Sequence, residues 1–201
     1  MTWRPPQHVI SDPQWSIINK CANLSEKTHW VKGFAGSGKS VLLVYMVERV
    51  YFQKPDASIC VVAYTHALKD MLHNGIQQEF RDRVRVITKN EFLREDERYD
   101  FVALDEIQDI PQEELRRIKY RSKTLVVAGD SEQSIYVSKS SSEEEIIEKL
   151  KPDVDQLDTI YRLTQKLKEI VCTILPNSRI ETARMGHDEK VQITLAKANS
   201  V

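Results

Sequence analysis

The sequence predicts an α/β fold in which a parallel β-sheet is flanked by crossover helices. Two observations carry this expectation. Short, nearly continuous apolar runs alternate with amphipathic stretches of helical period, and a glycine-rich string joins the first such run directly to a helix. The runs are His29–Gly33, Ser58–Ala63, Val84–Ile87, Phe101–Leu104 and Thr124–Ala128. Strands that are apolar throughout are buried on both faces, as strands of a parallel sheet are. Helices are expected near Lys39–Phe52, His66–Phe80 and Gln112–Lys119. The Ser- and Glu-rich stretch Ser138–Glu145 reads as a loop leading into a capped helix that runs through Leu150.

After Lys151-Pro152 the chain is expected to start again, with a strand-like piece at Gln156–Ile160 and a helix at Thr164–Leu175. A Pro176-Asn177-Ser178 turn and two short strand candidates follow. The expected division is therefore a first domain over 1–152 and the partial beginning of a second over 153–201.

Composition narrows the class. The 201 residues are 41% hydrophobic and 29% charged, a globular balance, and no apolar run reaches the length of a membrane span. The N-terminal residues lack the basic-then-apolar pattern of a signal peptide, so a cytoplasmic protein with no membrane partner is expected. Lys and Arg (29) nearly balance Asp and Glu (30), so bulk charge does not mark a nucleic-acid binder. Cys21, Cys60 and Cys172 are widely spaced and the five histidines are scattered, so neither a disulfide framework nor a zinc site is expected.

The string Gly33-Phe34-Ala35-Gly36-Ser37-Gly38-Lys39-Ser40 fits G-x-x-x-x-G-K-[ST]. Its glycines let successive backbone N–H groups turn toward phosphate oxygens. Lys39 is placed to reach the β- and γ-phosphates of a nucleotide, and the Ser40 hydroxyl to ligate Mg²⁺. About 65 residues on, Asp105-Glu106 ends an apolar strand. This is where such a chain needs a second Mg²⁺ anchor, Asp105, and a carboxylate that orients or deprotonates the attacking water, Glu106. The next strand leads into Gly129-Asp130-Ser131-Glu132-Gln133-Ser134-Ile135-Tyr136, where Gln133 is a candidate sensor of the γ-phosphate.

Together these strings resemble motifs I, II and III of superfamily 1 helicases of the UvrD/Rep/PcrA type. Ile10-Ser11-Asp12-Pro13-Gln14 resembles the segment whose glutamine reads adenine. Val62-Ala63-Tyr64-Thr65 resembles motif Ia, and Leu157-Asp158-Thr159-Ile160-Tyr161-Arg162 resembles motif IV. The resemblance implies RecA-like domains and ATP hydrolysis with Mg²⁺. It makes Gln14 and Tyr161 adenine contacts, and Gly33, Ala35, Gly36, Ser37, Gly38, Lys39 and Ser40 the phosphate cradle. Lys39, Glu106, Gln133 and Arg162 become the catalytic set, with Arg162 an arginine finger. Tyr64, Thr65 and Tyr136 become contacts to single-stranded nucleic acid, DNA before RNA.

The chain departs from that pattern in three places. The segment between motif Ia and Asp105 is short, the aromatic-Arg-Gly after motif III is replaced by Val137-Ser138-Lys139, and motifs V and VI are absent. The expectation is thus a compact motor domain whose second RecA-like half, or a partner protein, completes the site. The alternative is a nucleotide-dependent binding or regulatory module with slow turnover and no unwinding.

Overall fold

The computed structural model describes residues 3–130, 141–164, 169–170, 172–173 and 181–184, with the backbone alone at 162–164 and 181–184. Six strands form one all-parallel sheet: β1 (Thr28–Gly33), β2 (Ile59–Ala63), β3 (Val84–Thr88), β4 (Tyr99–Leu104), β5 (Ser122–Gly129) and β6 (Asp153–Leu157). Their order is β3-β2-β4-β5-β1-β6, so β5 lies between β1 and β4. The register sets Lys32 opposite Gly129 and Leu104 opposite Val127, which brings the C-terminal ends of β1, β5 and β4 side by side. Connections in such sheets leave the ligand crevice at those ends.

Alternation along the strands divides the core in two. Val31, Val61, Phe101 and Val126 face α1 (Asp12–Cys21), α2 (Lys39–Gln53) and α3 (His66–Gly75), where they meet Ile18, Leu42, Met46 and Leu72. On the other face Trp30, Val62, Leu104 and Val127 pack with Phe92 of α5 (Lys89–Arg94), Leu115 and Ile118 of α6 (Gln112–Tyr120) and Ile146 of α7 (Glu143–Leu150). Helix α2 is buried almost all round, from Leu42 through Glu48 and again at Val50, as befits a central helix. Among the described residues no helix is long and apolar enough to cross a membrane.

Three elements differ from the sequence expectation. The helix expected over 66–80 breaks: α3 ends at Gly75, Ile76 is extended, and a single turn, α4 (Gln78–Arg81), follows. Helix α5 has only six residues and is held by a capping box between Thr88 and Glu91. The sheet also runs past the boundary expected at 152, because β6 pairs with β1 from His29↔Asp153 to Gly33↔Leu157. The strand-like piece at 156–160 is the end of β6 and the start of β7 (Thr159–Thr164). Strand β7 pairs in parallel with β8 (Glu181–Arg184) in a separate two-stranded sheet. The helix expected from Thr164 falls mostly outside the described residues.

The N-terminal segment docks on α3. The Trp3 indole N–H donates to the Met71 carbonyl at 2.6 Å, and a Cβ added at Gly75 would fall 2.6 Å from the ring. Gly75→Ala therefore sets helix propensity, worth about 1 kcal/mol in favour of alanine, against overpacking that costs typically 1–3 kcal/mol. We expect Gly75→Ala to lower stability in the parent and to raise it in a Trp3→Ala background. A double-mutant cycle by urea denaturation checks this, and equal effects in both backgrounds would show that Trp3 does not press on Gly75.

Candidate functional site

Strand β1 ends at Gly33, and the loop that follows turns twice through left-handed backbone, at Gly36 (φ 83°) and Gly38 (φ 95°). A side chain at either position would be strained, which is why the string needs glycine there. Gly38 caps α2, so the first N–H groups of the helix, beginning with Lys39, open onto the loop. The Lys39 ammonium is buried and donates to the carbonyls of Gly33 at 2.6 Å and Phe34 at 3.1 Å. Ser37 is fully buried. At Gly33 a Cβ would sit 2.7 Å from Ser37 Oγ and 2.9 Å from Leu157, so glycine lets β6 close against the loop.

Strand β4 delivers the carboxylates. Asp105 is fully buried, its N–H donates to the Val62 carbonyl, and its carboxylate accepts from Ser40 Oγ at 2.6 Å. Burial, helped by the neighbouring Glu106 charge, pushes the Asp105 carboxyl up to about 6, against the opposing pull of Ser40 and Lys39. Glu106 has left-handed backbone, φ 58° and ψ 52°, unusual for a residue with a side chain. Its N–H donates to Asp105 Oδ1 at 3.1 Å, and its carboxylate accepts from Gln108 Nε2 at 2.6 Å. Gln108 is buried, and its Oε1 accepts from the Asp130 N–H at 3.2 Å. One carboxamide thus ties Glu106 to the end of β5. Gly129 makes room for it, since a Cβ there would fall 2.3 Å from Gln108 Oε1. The spacing of the motif strings assigns Gln108 no role, and only the fold places it between two strand ends.

Beside these groups lies a cavity of about 620 Å³ lined by Trp3, Gln14, Lys39, Val41, Glu106 and Tyr161 among others, including Ala35, Gly36, Gly38 and Ser40. The structure brings Gln14 and Tyr161 together on this wall, and the Tyr161 N–H donates to the Gly36 carbonyl at 2.9 Å. Gln14 has a second duty: its Oε1 accepts from the Ser11 N–H at 3.1 Å, closing the capping box of α1. Its amide nitrogen is the end that faces Gly38.

Tyr64 and Thr65 stand at the end of β2, away from this cavity's lining. The Lys89 ammonium lies 5.6 Å from the Tyr64 ring centroid, and Thr65 Oγ1 accepts from the Leu68 N–H as the cap of α3. Gln133 and Tyr136 lie outside the described residues, and Arg162 is described by its backbone in β7 alone.

Ser40 and Asp105 present hard oxygen donors 2.6 Å apart at the mouth of the phosphate loop, a set that suits Mg²⁺. Without a cation the buried Asp105 works against folding. Its folded value, about 6, exceeds the ordinary 3.8, so the native state binds more protons between those values and stability falls as pH rises through that window. At 1.36 kcal/mol per unit the cost at neutral pH is on the order of 3 kcal/mol. Asp105→Asn is expected to be more stable than the parent by about that amount at pH 7 in chelator, with the difference largely gone near pH 4. Denaturant titrations at the two pH values check this. Equal stability at pH 7 would mean that Asp105 is not buried as a charge.

The sequence from 29 to 197 matches the family model described as the viral superfamily 1 RNA helicase core domain. No curated protein matches the chain. The fold is similar to that of an arterivirus nonstructural protein 10 helicase solved with DNA, at TM-score 0.57 and 19% identity, covering 82% of this chain and 44% of that one. It is also similar to Pif1 helicase from Candida albicans, at TM-score 0.54 and 21% identity, covering 85% and 44%. A SWI2/SNF2 ATPase core from Sulfolobus solfataricus matches at TM-score 0.52 and 12% identity, covering 84% and 52%. At these identities the likeness speaks for the fold, and the chain spans less than half the length of the first two. The α/β, RecA-like architecture, the glycine loop at the end of β1 and the Asp105-Glu106 pair at the end of β4 agree with the family match, and the chain belongs to the viral superfamily 1 RNA helicase core domain family.

Proposed function

We propose that this chain is the ATP-binding half of a superfamily 1 motor that hydrolyses Mg·ATP and acts on single-stranded nucleic acid. The observation that carries the reading is that Lys39, Ser40 and Glu106 line one cavity wall while the buried Asp105 carboxylate beside them accepts from Ser40 Oγ. Lys39 and the loop N–H groups bind the phosphates, and Ser40 and Asp105 would hold Mg²⁺, which supplies charge neutralisation at the β- and γ-oxygens. Glu106 takes the proton of the attacking water, with Gln108 fixing the direction of its carboxylate. Tyr161 and the Gln14 amide flank the base. Gln133 and Arg162 are assigned as phosphate sensor and finger from the motif strings. Tyr64, Thr65 and Tyr136 are assigned in the same way to the nucleic acid.

The UvrD/Rep/PcrA affinity of the motif strings is a finer reading than the family match, which falls in the viral branch. The DNA preference drawn from that affinity stands against a family description that names RNA. Both polymers therefore belong in the assay. The domain division is best drawn after Leu157, where the six-stranded sheet ends, with β7 opening the second unit. A second RecA-like half or a protein partner would supply the remaining charge for turnover.

Lys39→Ala is expected to weaken nucleotide binding by on the order of 1.5–3 kcal/mol, the worth of a charge-assisted hydrogen bond. Equal affinities by titration calorimetry would remove Lys39 from the site. In a form with measurable turnover, Glu106→Gln should keep nucleotide binding and slow hydrolysis by roughly 10²–10⁴-fold, the usual contribution of a general base. Steady-state ATPase with and without single-stranded DNA or RNA tests the reading as a whole. Stimulation by either polymer supports a motor, whereas tight nucleotide binding with polymer-independent, slow turnover supports a regulatory module instead.

A further inference from the structure

At the other end of β1 from the phosphate loop, three metal-ligating side chains that are far apart in sequence meet. Cys21 is the last residue of α1, His29 lies near the start of β1, and Asp155 is in the middle of the edge strand β6. One ligand atom from each lies within 4.8 Å of the other two. Cys21 is fully buried and His29 is only 2% exposed. Both His29 ring nitrogens are without a hydrogen-bond partner. A buried imidazole with neither nitrogen satisfied is rare, because each unpaired polar group costs roughly 1–3 kcal/mol. The mechanism of nucleotide hydrolysis gives this ring nothing to do.

We propose that Cys21, His29 and Asp155 bind a zinc ion. The donor set of thiolate, imidazole and carboxylate favours Zn²⁺ over the hard Mg²⁺ of the phosphate loop. In tetrahedral zinc such ligand atoms stand roughly 3.5 Å apart, so closure from the present spacing takes side-chain shifts of about 1 Å. Asp155 sits on an edge strand and accepts from Lys20 Nζ at 2.9 Å on both oxygens. The Lys20 side chain is itself half-exposed, so its ammonium can swing into solvent when a cation takes its place. Water completes the fourth position.

The site lies apart from the nucleotide loop. His29 precedes Gly33 by four residues along an extended strand, about 13 Å. A zinc ion here would pin the C-terminal end of α1 to β1 and β6, and α1 carries Gln14 at its other end. Sequence spacing could not show the cluster, because its ligands come from residues 21, 29 and 155.

The test is a Co²⁺ titration of the full chain, reduced and stripped with chelator. One equivalent should bind with a thiolate-to-cobalt charge-transfer band, and Zn²⁺ should displace it. The Cys60→Ser/Cys172→Ser double variant should keep the band, while Cys21→Ser and His29→Gln should lose it. Zn²⁺ should raise the melting temperature of the parent and leave that of Cys21→Ser unchanged. ADP binding should be the same in parent and Cys21→Ser, which separates this site from the nucleotide site. Absence of the band in the parent overturns the proposal, as does a band that survives Cys21→Ser. The parent titration decides even if His29→Gln fails to fold.

Discussion

The site depends on one arrangement: the insertion of β5 between β1 and β4, which lets the Ser40 hydroxyl reach the carboxylate of Asp105. Because all six strands are parallel, every loop that follows a strand emerges at the same edge. The register then decides which loops are neighbours. The ladders from Val31↔Ala128 and Leu104↔Val127 bring the phosphate loop, the Asp105-Glu106 pair and the Gly129-Asp130 end within reach of one another. Two packed cores, one on each face, hold the strands in that register.

Several groups at this edge are held against their own preference. Asp105 is a carboxylate in a fully buried place, and Glu106 occupies backbone that side chains avoid. Left-handed backbone costs roughly 1–2 kcal/mol for such a residue. With the buried carboxylate this is a sizeable share of the 5–15 kcal/mol by which domains of this size are stable. Strain of this kind persists only where the surrounding structure over-determines it. Gln108 shows how it is kept, since one buried side chain joins two strand ends through two hydrogen bonds.

Much of this was readable in the residues, and the exceptions have physical causes. Strands β1, β2 and β4 stand out because both faces are buried, so their apolar runs are unbroken. Strand β6 is hard to read because it lies at the sheet edge, where Asp153, Val154 and Gln156 are exposed and the apolar pattern disappears, so its pairing with β1 shows only in the fold. Helix α5 was missed because six residues give no period to read, only a Thr88–Glu91 cap. The phosphate loop, Asp105 and Glu106 were legible from spacing. The role of Gln108 and the meeting of Cys21, His29 and Asp155 were not, because contacts between distant strands leave no mark on local sequence.

The hydrogen bond from the Tyr161 N–H to the Gly36 carbonyl has a mechanical consequence. Strand β7 belongs to the separate two-stranded sheet, while Gly36 sits at the crest of the phosphate loop. A single peptide group therefore acts as a tether between the loop that would grip a nucleotide and the segment leading away from the first sheet. A swing of that segment would strain this bond together with the short Asp158 link to β6. Any change in the loop's pitch is passed outward along the same line.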